Sequence, residues 1–538
     1  MNKETRGFFT PCYVKKYDNW LIFLLSFLYI CWDLLWNGTG ISVLIFTILF
    51  CGFVYVRLNL DGRITPENKK ASLPWFLVIV LSAIASAWFD YTPLGWFNFL
   101  FLTASVLYWL AVLTGTRILP EVSSYLPLDL LIQLVKLPFS NFSRFFSCIF
   151  RTRISCTETS EHDSSSKSGF AGDNSTVLVK RRTLLRSGIQ ILLTLCMITP
   201  LLLIVLNLLA AADESFMRMI AHMIDDFFSI FTHTFSFNMI ETIGHLLLAI
   251  PVSAYLFGLL WAHTHPDQAK GFGSKEITDR WLLSLHFVPG IMILTTLLTF
   301  TMIYLLFLGL QASHLLEALN HGLPETTTYS QFAREGFFEL CAVAFINLMI
   351  LIGVWLLSKR TVNFEVPRNL RLMLSLLSIQ TILLVVTAMV KMGLYIQVYG
   401  LTRLRAYTFW FMIWLLLVFI ILTLATARKR GIAAGTKLTP AKCLTALTVS
   451  MFLALNYLNV DALIVRDHIT RAQKAPLSAE TIDDGYLWSL SGNARLALLD
   501  YYGDDIPEER IPHGYWDGGD WRRATITSFR LNSHLKDQ

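Results

Sequence analysis

Charge is scarce in this sequence. Asp, Glu, Lys and Arg make up 15% of the 538 residues, while hydrophobic residues make up 54%; a soluble domain carries about 25% charged residues. The deficit excludes an ordinary soluble globular chain. Paired cysteines are lacking too. The eight cysteines form no C-x-x-C spacing and none lies in the C-terminal tail, so no disulfide framework is indicated. No small-residue cleavage site follows the first apolar run; Asn37-Gly38 and a second apolar run follow instead. That run is therefore expected to be a span and not a removed signal. Catalytic signatures are missing as well: there is no Walker A Gly-Lys-Ser/Thr, no G-x-S-x-G and no kinase set. Gly271-Phe-Gly273 sits in a loop and does not follow a strand, so it is no dinucleotide signal. His263-Thr-His265 and His286 lack an H-E-x-x-H frame. No metal, no cofactor and no reaction of its own are expected. The basic residues follow topology and form no patch, so no nucleic-acid partner is expected either.

What the sequence has is long apolar runs. Stretches of about 17 or more such residues read as membrane-spanning helices. Eleven are expected: Trp20–Trp36, Ile41–Val56, Leu73–Phe89, Leu94–Thr116, Gly188–Ala212, Met239–Trp261, Val288–Gln311, Gly336–Leu357, Leu372–Ile396, Leu404–Ala427 and Ala441–Leu458. The expected fold is all-α: a polytopic helical membrane bundle of about 11 transmembrane helices with a small, mostly helical C-terminal extramembrane tail. Four parts follow: a four-span membrane part over 1–124, an amphipathic stretch and linker over 125–187, a seven-span core over 188–458, and a tail over 459–538. Within the second part, Leu130, Leu134, Phe139, Phe142 and Phe146 recur at helical spacing among Lys136, Arg144 and Arg151. This stretch is expected to lie in the membrane interface, packing on a cytoplasmic loop being the alternative. Pro138 is expected to break or kink it. Ser155–Thr176 has the composition of a disordered linker, and Phe216–Phe235 reads as a second interfacial stretch. In the tail, helical patterns fall near Ile482–Leu490 and Ala494–Tyr502.

Orientation follows from Lys and Arg. With the N-terminus cytoplasmic, the cytoplasmic segments hold thirty of the 44, and the outer loops hold only Arg218, Arg334, Arg403 and Arg405. The tail is then extracytoplasmic.

Charges in or near spans are functional candidates by default. Here they are Asp33, Asp90, Glu241, Glu335, Glu339, Lys391, Arg403, Arg405 and Asp461. All fall on the outer side in this topology. The densest group is the turn Tyr395–Ala406, with Lys391 one helical turn before it. Gln380, Thr387, Lys391 and Tyr395 share a narrow arc at about 100° per residue, which turns Lys391 toward other helices. Glu335 and Glu339 open one neighbouring span and Asp461 closes another. Two readings fit the cluster Glu335, Glu339, Lys391, Tyr395, Tyr399, Arg403, Arg405 and Asp461. It pins helix ends by charge pairing, or it lines a pocket for an anionic lipid, an envelope component or a substrate carboxylate, which Arg suits. Pairing is preferred, because intramembrane charges commonly pair with one another.

Four stretches carry a family resemblance: Tyr399-Gly-Leu-Thr-Arg-Leu-Arg405, the block Tyr329–Leu340 with Arg334-Glu-Gly-Phe-Phe-Glu339, Asn459-Val-Asp461-Ala, and Tyr486-Leu-Trp-Ser-Leu-Ser491. In order and content they resemble the bacterial multi-pass membrane families labelled domain of unknown function four-one-five-three and four-one-seven-three. The resemblance covers about Leu285 to Asp500. The chain departs from it at Ala-Ser-His-Leu-Leu after Gln311, and at Lys391, where an arginine is expected. The resemblance implies a bacterial cytoplasmic (inner) membrane protein and brings no reaction. The expected role is non-enzymatic, in the envelope, with the lipid bilayer as the partner. A transporter of a small or lipid-linked anionic substrate and an envelope-lipid-modifying enzyme are the alternatives; for the latter, Glu335, Glu339 and Asp461 could serve as acid or base.

Overall fold

The computed structural model describes residues 16–32, 34, 40–89, 94–146, 237–266, 269, 271–273, 276, 278, 280, 284, 288–321, 337–357, 367–427, 439–474, 484–502 and 525–537. The expected span Gly188–Ala212, the linker Ser155–Thr176, the stretch Phe216–Phe235, and Asp33, Asp90, His286 and Glu335 lie outside these residues.

The first helices are α1 (Lys16–Cys31), α2 (Ile41–Leu60), α3 (Pro66–Trp88), α4 (Gly95–Thr114), α5 (Leu126–Leu131) and α6 (Leu137–Asn141). Next come α7 (Phe237–Thr264), α8 (Gly290–His321), α9 (Phe337–Leu357), α10 (Arg368–Tyr399) and α11 (Arg403–Ala427). The last are α12 (Pro440–Tyr457), α13 (Val460–Lys474), α14 (Asp484–Trp488), α15 (Gly492–Tyr502) and α16 (Ile526–Asp537). The fold is all-α, and no strand occurs among the described residues. In lipid no water is available to the backbone, so a single crossing segment must satisfy its own N–H and C=O groups, which a helix does.

Among the described residues, seven helices are long and apolar enough to cross a membrane: α2, α3, α4, Thr242–Thr264 of α7, Gly290–Leu310 of α8, α10 and α11 up to Thr426. An eighth arises if α12 and α13, bent by 58°, are one broken span. The apolar parts of α1 (Asn19–Cys31) and α9 (Leu340–Val354) are shorter.

Helix starts and stops follow local chemistry. Thr65 and Thr439 cap α3 and α12 by accepting from the amides of Asn68 and Lys442, both at 3.3 Å. A proline follows each cap, where its missing N–H is no loss. Gly115 ends α4 with φ +70°, and a Cβ there would meet Asn68 Nδ2 at 2.7 Å.

The chain forms two compact units. The first is Met1–Trp36 with Gln133–Gly271. In it α7 packs on α1 and α6. A π-helical turn, Ile132–Lys136, leads directly into Pro138. The cause is local: a proline cannot donate to the carbonyl four residues back, and its ring crowds that carbonyl. The freed carbonyl is that of Leu134, and Tyr255 on α7 donates its hydroxyl to it at 2.6 Å. The run is thus interrupted by a π turn next to Pro138, and the interruption is a docking point for α7. Gly258 permits the close approach, since a Cβ there would meet the Pro138 carbonyl oxygen at 2.6 Å. Below it, buried His263 pairs with buried Gln133 at 2.8 Å. The stretch has two faces: Leu137, Pro138 and Asn141 are buried, while Leu134, Val135 and Phe139 are exposed.

The second unit is Asn37–Ile132 with Phe272–Gln538. Its hub is α10, which packs on α8, α9 and α11 around Leu297, Ala344, Leu377, Leu384 and Phe419. Elsewhere α3 and α4 are tied by Asn98, which takes part in three hydrogen bonds. Its amide donates to the Ser82 carbonyl (3.2 Å) and to Ser86 Oγ (2.6 Å), and its oxygen accepts from Ser82 Oγ (3.0 Å).

The tail is more ordered in form than its polarity suggests. α13 packs on α15, α15 on α14 and α16, and α16 on α3. Val460, Ile464, Val465, Leu487, Leu490, Ala494 and Leu498 form a small core that also takes in Leu401, Ala406 and Tyr407.

Candidate functional site

The site is the turn Tyr395–Ala406, where α10 ends and α11 begins. Gly400 makes the turn with φ +76° and ψ 173°, a combination open essentially only to glycine. A Cβ there would meet His468 Cε1 at 3.2 Å and Asp467 Oδ2 at 3.6 Å. α13 therefore presses on the turn from above.

A helix end leaves its last carbonyls without intrahelical partners. Here the carbonyls take side-chain partners from α13 and α11, and that of Ile396 also accepts the Gly400 amide at 2.9 Å. Arg471 on α13 donates to the carbonyls of Ile396 and Gln397, each at 2.7 Å. Arg405 donates to the carbonyls of Tyr399 (2.9 Å) and Gly400 (2.6 Å). His468 Nε2 contacts the Leu401 carbonyl at 3.0 Å, and the Leu401 amide donates to Asp467 at 2.8 Å. Asp467 also accepts from Arg471 Nε at 2.8 Å. Positive side chains at the carbonyl end of a helix also complement its dipole.

Arg403 opens α11 and makes a two-pronged bond with Asp461. Its Nε donates to Oδ1 at 2.8 Å and its Nη2 to Oδ2 at 2.6 Å. Fork-to-fork pairs of this kind are the strong, directional form of the ion pair. Asp461 is nearly buried and Arg403 about a quarter exposed. The Asp461 carboxylate also accepts from the hydroxyl and, at 3.3 Å, the amide of Ser491. The Arg403 amide donates to the Tyr486 hydroxyl at 3.2 Å. Asp461 thus joins α11, α13 and the start of α15 at one carboxylate.

The remaining residues of the expected cluster lie around this clamp. Arg405 stacks over the Tyr395 ring at 4.0 Å, and its centre is 5.9 Å from the Tyr399 ring; the two rings meet edge to face at 5.3 Å. Lys391 is only 5% exposed, inside the helical packing of α10. Glu339 stands in the first turn of α9, with its side chain outside the described residues, and Glu335 lies outside them altogether. The structure thus brings together Tyr395, Tyr399, Arg403, Arg405 and Asp461.

Asp461 does not close a span. The chain breaks at Asn459, which adopts φ +48°, and Asp461 sits in the first turn of a new helix. A carboxylate is favoured there by the helix dipole. Sequence reasoning missed α13 and, with it, Asp467, His468 and Arg471. The signal was present: Val460, Ile464 and Val465 recur on one face, with Asp467 and Arg471 four apart.

Helices of this length and apolarity, all-α and several times crossing, define a multi-pass membrane protein. Residues 76–501 match the family described as a domain of unknown function, DUF4153, and the chain belongs to that family. The matched region contains the whole turn, its clamp and Ser491. No curated protein matches the chain, and neither does any solved structure.

Proposed function

We propose that this protein is a non-enzymatic element of the bacterial cytoplasmic membrane that presents its C-terminal tail as an ordered platform on the extracytoplasmic side. The carrying observation is the Arg403–Asp461–Ser491 connection, which fastens tail helices to the end of two spans. The turn's polar groups are engaged in holding the tail, which favours a clamp over an anion pocket. The side follows from the crowding of Lys and Arg into the alternate loops. Thr470 is exposed on α13 and tests the orientation. In a background with the native cysteines replaced, Thr470→Cys should react with a membrane-impermeant thiol reagent in intact cells from which the outer membrane has been stripped. Labelling only after the membrane is opened would overturn the proposal.

A second reading, a transporter, has one observation in its favour. An uncharged polar group of residues lies deep between α8, α9 and α10, and transporters place their sites near the middle of the membrane.

A further inference from the structure

Asn347 is the central residue of α9 and is 0% exposed. Its amide nitrogen donates to Thr381 Oγ1 on α10 at 2.8 Å. Next to Thr381, Gln380 is 2% exposed and donates from Nε2 to the Thr301 carbonyl on α8 at 3.0 Å. Thr301 is 1% exposed. Tyr304, one turn on from Thr301, has its hydroxyl against the Asn347 side chain. The contacts close a ring through three helices, and no member of it carries a charge.

Both amides are fixed in orientation. Thr381 donates its own hydrogen to the Leu377 carbonyl at 2.8 Å, so what it receives from Asn347 must be an N–H. The Thr301 carbonyl can only accept, so Gln380 must offer it nitrogen. The amide oxygens are forced the other way, and Asn347 Oδ1 and Gln380 Oε1 meet no hydrogen-bond donor among the described residues. Thr301 Oγ1 is likewise unpartnered. Its neighbours on α8 behave differently: Thr295, Thr296 and Thr299 each donate back to a carbonyl three or four residues earlier, at 2.9–3.0 Å. Asn98, equally buried between α3 and α4, has its oxygen satisfied. Three buried oxygens without a partner among the described residues thus fall on the three helices that these two amide bonds join.

Such a group needs a species with positive charge or polar hydrogens. Oxygen ligands of this kind replace the hydration shell of an alkali ion. Protein sites for divalent hard cations draw on carboxylates, and this ring holds none. We propose that Asn347 Oδ1, Gln380 Oε1 and Thr301 Oγ1 form a site for a small monovalent cation of Na+ type between α8, α9 and α10. The proposal goes beyond the platform reading and does not rest on it.

The test uses the full chain purified in detergent and radiolabelled sodium. Saturable binding is expected, displaced by unlabelled NaCl and not by choline chloride at the same ionic strength. Thr301→Val removes one oxygen and no hydrogen bond to the described residues, so it should fold, elute normally and bind sodium about tenfold more weakly or worse. Thr301→Ser, which keeps the hydroxyl, should retain binding, and Asn347→Leu should lose it. Absence of saturable sodium binding by the wild-type protein would overturn the proposal and leave a buried water as the partner of these oxygens. Binding unchanged in both Thr301→Val and Asn347→Leu would also overturn it, by placing any sodium elsewhere.

Discussion

Two polar regions of the second unit differ in how their groups are satisfied. At the turn between α10 and α11, the strongest polar groups of the region are matched in detail. Arg403 meets Asp461, Asp461 meets Ser491, and the carbonyls of Ile396, Gln397, Tyr399 and Gly400 receive Arg471 or Arg405. About midway along α10 and its neighbours α8 and α9, uncharged groups are left half matched, with three oxygens meeting no donor among the described residues. Charge alone is therefore a poor guide to where a ligand acts. A buried charge with one partner removed is heavily penalised, so charged residues end up paired and structural. Neutral amides carry a smaller penalty when incompletely paired, so they are the groups that a fold can leave open for something else.

The largest effect should come from Asp461, whose carboxylate is shared by three segments. Asp461→Ala leaves Arg403 and Ser491 without their acceptor. It should destabilise the docked tail by about 3 kcal/mol, the low end for a broken buried pair because Arg403 is partly exposed. Limited proteolysis should then cut within α13 and α15 at protease levels that leave the wild type intact. An unaltered digestion pattern would remove the contrast between the two regions.

Gly400→Ala should come next. The backbone there is closed to an ordinary residue and the added carbon crowds His468, so a loss of about 2 kcal/mol is expected. The expected sign is a lower thermal midpoint of the purified protein together with weaker tail protection; an unchanged midpoint would show that α13 does not rest on the turn.

At the small end, Thr301→Val in choline medium should change the melting midpoint by no more than about 0.5 kcal/mol equivalent, since it deletes a hydroxyl that has no partner among the described residues. A loss as large as that at Gly400 would mean that the centre of α8 is held as tightly as the turn, and the comparison would fail.

The turn was legible in the sequence because arginines between apolar runs are rare and costly. Lys391 facing the helix packing followed from helical periodicity, and it is 5% exposed. The pairing was less legible. Arg403 and Asp461 are 58 residues apart, and sequence offered Glu335 and Glu339 as equal candidates. Chain periodicity carries no information about which distant acid arrives. The break at Asn459 was hidden because one residue in a left-handed conformation interrupts an otherwise helical composition, so α13 read as polar tail. The central oxygens left even less trace. Thr301 and Gln380 are 79 residues apart, and single Thr, Asn and Gln residues barely interrupt an apolar run. Family membership was readable from the four ordered motifs, all of which fall within the matched residues 76–501.

The central claim is that Arg403 and Asp461 act as one unit to hold the tail on the turn. A double-mutant cycle with Arg403→Met and Asp461→Leu, read by hydrogen exchange of the amides in Val460–Lys474, tests it directly. If the pair is the clamp, each single change speeds exchange, and the double change costs less than the two singles together, with a coupling of about 2 kcal/mol or more. Additive effects with a coupling near zero would contradict the account.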